Sequence, residues 1–137
     1  MATLNAQKLK KIPSNGQHGD ACIFTSAIVL AAASVADVVY FAELPPYCEV
    51  IDVELVNDAL GASTTFNCGY AYVDSTVGSA APTAYQAAAS KTSAGKTRGT
   101  FHPILHEHAT YVTATLAGAA ATGTVTAIIH YRYIGSM

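Results

Sequence analysis

The last third of the chain alternates side chains residue by residue, and this period of two constrains the fold more than any other feature. In GTVTAIIHYRYIG, Val125, Ala127, Ile129, Tyr131 and Tyr133 share one face. Thr124, Thr126, His130 and Arg132 share the other with Ile128 and Ile134. Successive strand residues point to opposite faces, whereas a helix groups residues three and four apart, so helix is excluded here. HATYVTATLAG precedes this segment across the small-residue linker Ala119 to Thr122, and the two read as an antiparallel hairpin.

Similar signals recur upstream. CIFTSAIVL and DVVYFAEL are rich in β-branched and aromatic residues, and Pro45 and Pro46 end the second run because neither supplies an amide hydrogen to a ladder. In YCEVIDVELVND, Ile51, Val53 and Leu55 are expected on one face, with Asp52 and Glu54 on the other. Asp58 to Gly61 supply a turn, and STTFNCGYAYVD follows with Phe66, Cys68, Tyr70 and Tyr72 on one face. Residues 75–100 are small and polar. Their QAAAS segment has helical propensity but no amphipathic stripe, so long loops with one short strand around Ala84 to Ala88 are expected. Six to eight short strands separated by turns predict an all-β fold, a two-layer β-sandwich, for which the jelly roll is one standard closure.

The 137 residues suit one domain, with a core large enough to need neither disulfide nor metal. Residues 1–20 carry few large apolar groups and are broken by Pro13, Gly16 and Gly19. They read as an extended N-terminal arm needing something to lie against, or as a disordered leader, ahead of a single domain over 21–137.

Charged residues are only 12% of the chain, about half the usual share, while hydrophobic residues reach 51%. A surface so poor in charge implies that a partner covers part of it. No segment has the ~18 uninterrupted apolar residues of a membrane span, and the twenty mostly polar residues ahead of the most apolar run argue against a signal peptide. Synthesis in a cytoplasm is expected. Cys22, Cys48 and Cys68 form no C-x-x-C and are expected as buried free thiols.

Lys8, Lys10 and Lys11 cluster near the N-terminus, and Lys91, Lys96 and Arg98 cluster later. Eight of the nine acidic residues fall between these clusters, where there is no Lys or Arg. This asymmetry is either ordinary solvated charge or the basis of complementary contact with a partner or another copy. Three lysines fall short of a nucleic-acid-binding stripe.

The chemistry-bearing residues make no assembled site. His106 and His108 have the i, i+2 spacing of a metal pair, and His102 could approach as a third ligand, but Glu107 points away from them. Exposed or interface histidines are therefore the expectation, with no metal and no cofactor. There is no G-x-S-x-G elbow, and Gly95-Lys96-Thr97 lacks the leading glycine of a phosphate loop, so no enzymatic activity is expected. Asp52 and Glu54 read as solvent-facing strand carboxylates.

The stretch from Asp37 to Asp74 carries a resemblance. A strand ending in Leu-Pro, re-entry as Val-Ile-Asp-Val, and Asn-Asp-Ala-Leu-Gly-Ala-Ser-Thr-Thr turning into the next strand is similar to a pattern in structural proteins of tailed bacteriophages. Size and composition are closest to the capsid cement, or decoration, proteins, which include the jelly-roll cement protein of a Bordetella phage. Pro46-Tyr47 departs from the Gly-Ala more usual at that turn. The resemblance implies a virion protein on the capsid surface that binds the major capsid protein and cements neighbouring subunits, as a homodimer, without nucleic acid or membrane. Clustered charge outside readable strands makes Lys8, Lys10, Lys11, Ile12, Lys91, Lys96 and Arg98 the expected contacts, with His106 and His108 as a weaker edge. The alternative is a tail or fibre component binding a host receptor or glycan through exposed tyrosines; most of the eight look buried.

Overall fold

The computed structural model describes residues 3–6 and 21–134. They form ten strands and no helix: β1 Thr3–Asn5, β2 Ala21–Ala33, β3 Val38–Leu44, β4 Cys48–Asn57, β5 Thr65–Tyr72, β6 Ala81–Ser90, β7 Gly95–Arg98, β8 Ile104–His106, β9 Thr110–Ala117 and β10 Ala121–Tyr133. One sheet has the order β1-β3-β9-β5-β6 and the other β2-β10-β4-β7, with β8 also paired to β4. Leaving aside β1 and β8, the chain threads its eight main strands as first, eighth, third, sixth in one sheet and second, seventh, fourth, fifth in the other. That wiring is a jelly roll, and the expected β-sandwich is the observed one.

The inward faces follow the period-two reading. Val125, Ala127, Ile129 and Tyr131 of β10 are buried against Val39, Phe41, Phe66, Val112 and Leu116 of the facing sheet. In β5, Phe66 and Cys68 are buried and Tyr70 packs against the same core. β4 departs from the expected alternation. Its register with β10 slips between His130↔Asp52 and Tyr131↔Val50, which makes Ile51 an extra residue. Such a bulge inverts the phase, so Val50, Val53 and Leu55 point inward while Ile51 is exposed.

Two further expectations change. The C-terminal hairpin does not form: β9 pairs with β3 and β5, while β10 pairs with β2 and β4 in the opposite sheet. Each strand thereby gains two neighbours for its backbone groups, and the short connection between them turns a corner between the sheets. The segment 75–100 holds two strands, not one short one. β6 pairs with β5 through two register shifts, and β7 pairs with β4 from Glu54↔Arg98 to Asn57↔Gly95. The arm is sheet at its start, since β1 runs parallel to β3 and Ala6 is buried in the core. Lys8, Lys10, Lys11 and Ile12 lie outside the described residues.

Candidate functional site

The outer face of the β2-β10-β4-β7 sheet gathers half of the described Asp, Glu, Lys and Arg residues. Alternation aims Glu49, Asp52 and Glu54 of β4 outward, between the cations of β7 and β10. Lys96 Nζ lies 2.6 Å from Glu54 Oε2, Arg98 Nη2 lies 2.8 Å from Asp52 Oδ2, and Arg132 Nε donates to Glu49 Oε1 at 2.7 Å. His130 Nε2 stands 3.6 Å from the other oxygen of Glu54. The hydrogen bond from Lys96 holds the Glu54 carboxyl below the usual range, with the nearby Lys96, His130 and Arg98 charges adding to it. A cleft of about 650 Å³ lies alongside, lined in part by Ile51, Arg98, Phe101 and His130.

Asp52, Glu54 and His130 bring their ligand atoms within 4.8 Å of one another, close enough for a cation. Lys96 and Arg98 already neutralise the two carboxylates, so the group is an ion-pair network and not a vacant charge. The acidic middle of the sequence and its later basic cluster therefore meet within one chain. Lys96 and Arg98 remain largely exposed but are tethered to β4, in pairs that contribute little to stability at a surface.

Two expected contact residues lie inside. Lys91 is 0% exposed. Its amide donates to the Thr64 carbonyl, its own carbonyl accepts from Leu60, and its ammonium donates to Thr97 Oγ1, which donates onward to Gln86 Oε1. With no carboxylate among these partners, desolvation pushes the amine down to about 8. His106 is 1% exposed because β8 pairs Cys48↔His106 and turns the imidazole inward. Its Nε2 is 2.8 Å from Tyr85 Oη, its ring meets Tyr70 edge-on at 4.5 Å, and burial pushes it down to about 4. His108 is exposed, its ring edge-on to Tyr72 at 6.1 Å. His102 is exposed as well. The structure separates the proposed histidine pair into one core residue and one surface residue.

Cys22, Cys48 and Cys68 form no disulfide; Cys48 and Cys68 are buried and Cys22 half-buried. Burial pushes the Cys48 thiol up to about 11 and Cys68 to about 12, which keeps both protonated and poorly nucleophilic at neutral pH. The tyrosines are more accessible than the sequence suggested: Tyr85 and Tyr131 are buried and the other six are half-buried, including the stacked Tyr40 and Tyr111 at 4.7 Å.

The feature that the sequence left unmarked is the margin of β2. Ile23 and Val29 are 64% and 67% exposed on its outer face. Their run, CIFTSAIVL, is apolar without clean alternation, so no face was legible; its lack of any charge was the available signal.

No helix among the described residues is long and apolar enough to cross a membrane. No family model matches the sequence, and no curated protein matches it. Solved structures do. A chain in the capsid of Ralstonia phage GP4 is similar over 98% of this chain and 99% of its own, with TM-score 0.76 and 19% identity. A chain in the capsid asymmetric unit of cyanophage Pam1 covers 88% and 90%, at TM-score 0.63 and 22% identity. A chain in the acidic stable capsid of Helicobacter pylori bacteriophage KHP30 covers 88% and 94%, at TM-score 0.60 and 14% identity. The chain thus shares its fold with chains from three phage capsids.

Proposed function

We propose that this chain is a structural virion protein that sits on the outer surface of a tailed-phage capsid. There it binds the major capsid protein and cements neighbouring subunits, as a homodimer, after synthesis in the host cytoplasm. The observation that carries the reading is the end-to-end match of its jelly roll to a chain of the Ralstonia phage GP4 capsid, at TM-score 0.76. The physical features agree with it. Much of the described charge is consumed in pairs within the chain, and apolar side chains stand exposed at Ile23, Val29 and Val35. Such a surface suits burial against protein more than solvation. Many weak contacts repeated over a symmetric shell add up through avidity.

The basic residues left for a capsid partner are Lys8, Lys10 and Lys11, since Lys91 is buried and Lys96 and Arg98 are paired. The test is cosedimentation with purified heads that lack the protein, comparing the native chain with a Lys8→Glu, Lys10→Glu, Lys11→Glu variant. The native chain is expected to pellet with heads, and the variant to stay in solution with an unchanged melting temperature. Equal occupancy by the variant would remove these lysines from the contact. Failure of the native chain to bind heads, with specific retention on a glycan array, would favour a receptor-binding tail or fibre role.

A further inference from the structure

The β2 strand is built like an interior strand but sits at a margin. It runs for 13 residues and pairs with β10 along its length, from Ala21↔Arg132 to Ala33↔Ala121. Among the described residues no strand pairs with its other side. Edge strands are ordinarily protected by shortness, lysine, proline, a bulge or an inward charge. The sequence ACIFTSAIVLAAA has no lysine, proline or other charge, and its one bulge falls after Leu30. Thirteen residues also exceed the usual five or six of a strand by about a factor of two.

The strand is complementary to itself. In an antiparallel pairing of two copies centred on Ser26, Ile23 falls opposite Val29, Phe24 opposite Ile28, Thr25 opposite Ala27 and Cys22 opposite Leu30. Every outward pair then joins apolar or small side chains, and no charge meets a like charge. Ile23 and Val29, the most exposed large hydrophobic residues described, would cover each other twice across the axis. The inward side gives a second, independent reason. Ser26 is 2% exposed and its hydroxyl has no hydrogen-bond partner among the described residues, a costly state for a buried polar group. At the centre of the pairing it would face its own symmetry mate. Directly opposed residues bring their Cβ atoms to about 5 Å, and serine hydroxyls bond across such pairs.

We infer that a second copy of this chain docks on the β2 margin, antiparallel and with a two-fold axis through Ser26, to make one continuous sheet across the dimer. Such an interface is isologous, so each pair away from the axis occurs twice. The ion pairs of β4 and β7 remain on the far side of each sheet and take no part. This deepens the homodimer element of the proposed function, but it is read without any capsid present, so the two fail separately.

The test uses the full chain. Sedimentation equilibrium is expected to give a dimer, and Val29→Lys to weaken association about tenfold or more, because each of two symmetric contacts would place an ammonium on Ile23. Circular dichroism of that variant should match the native chain, since the side chain is exposed. Register is read by combining Ile23→Cys with Val29→Cys, which under mild oxidation should form a covalent dimer. Either substitution alone should not, because each position lies opposite the other. A dimer that persists in the Val29→Lys variant without cross-linking would overturn the inference. So would a monomer at all concentrations, which would mean that another part of the chain or a capsid subunit covers this margin.

Discussion

Within the sandwich, the Tyr85 hydroxyl and His106 Nε2 lie 2.8 Å apart among aromatic rings, and burial pushes the imidazole down to about 4. Above pH 6.5 neither the folded nor the unfolded chain holds this proton. Below 6.5 the unfolded chain takes it up while the folded chain does not until about 4, so this group lowers stability progressively as pH falls. Across that interval the loss is about 3 kcal/mol. A His106→Phe variant should start less stable at pH 7, because it orphans the Tyr85 hydroxyl, but fall less steeply towards pH 4. Urea unfolding at several pH values checks this; parallel pH profiles would contradict it. Lys91 has the same sign at higher pH. Its folded value of about 8 lies below the unfolded 10.5, so stability rises between them as the unfolded chain gives up its proton. Lys91→Met should therefore stabilise the fold at pH 7 by about 1–3 kcal/mol, with the gain shrinking towards pH 10. Neither site was legible in sequence, because spacing reports which residues share an element and not how deeply the other sheet covers them. His106 and His108 have a surface pair's spacing until β8 joins β4.

Among the elements, the corner between β9 and β10 decides the topology. Gly118 has φ +84° there, and a Cβ would stand 2.0 Å from the Ser63 carbonyl oxygen, a backbone atom with no room to retreat. Gly118→Ala should cost about 2 kcal/mol or more, visible as a lowered urea midpoint, while a neutral outcome would mean that the corner is not held against the residues before β5. A second close approach closes the seam between the sheets. Gly99, just past β7, would put a Cβ 1.7 Å from the Tyr85 carbonyl oxygen of β6. The faces of β5 and β10 were legible because both are regular and half-covered. The partner of β10 was not: alternation shows that a strand has two faces but carries no information on which sheet it joins. Ile51 was misassigned for a related reason, since one extra residue in β4 inverts the phase without altering composition. β6 was legible only as a short strand around Ala84 to Ala88, because its Ala-rich run favours helix locally, and the register shifts opposite Phe66, Cys68 and Tyr70 interrupt the period that marks a strand. Pairing with β5 overrides both.

For the molecule as a whole, the jelly roll consumes features that had pointed outward. Acids from the middle of the chain and later cations became one network on the β4 face, leaving less charge for partners than the sequence suggested. In the proposed function the N-terminal lysines face the capsid, and in the proposed dimer the β2 margin faces a second copy. In the proposed function a capsid shell covers this surface. An image reconstruction of heads lacking the protein, taken before and after incubation with the purified chain, tests it most directly. Added sandwich-sized density is expected at fixed, symmetric outer positions that bridge neighbouring capsid subunits. Heads that look the same before and after, with the chain found in the tail of intact virions, would contradict it.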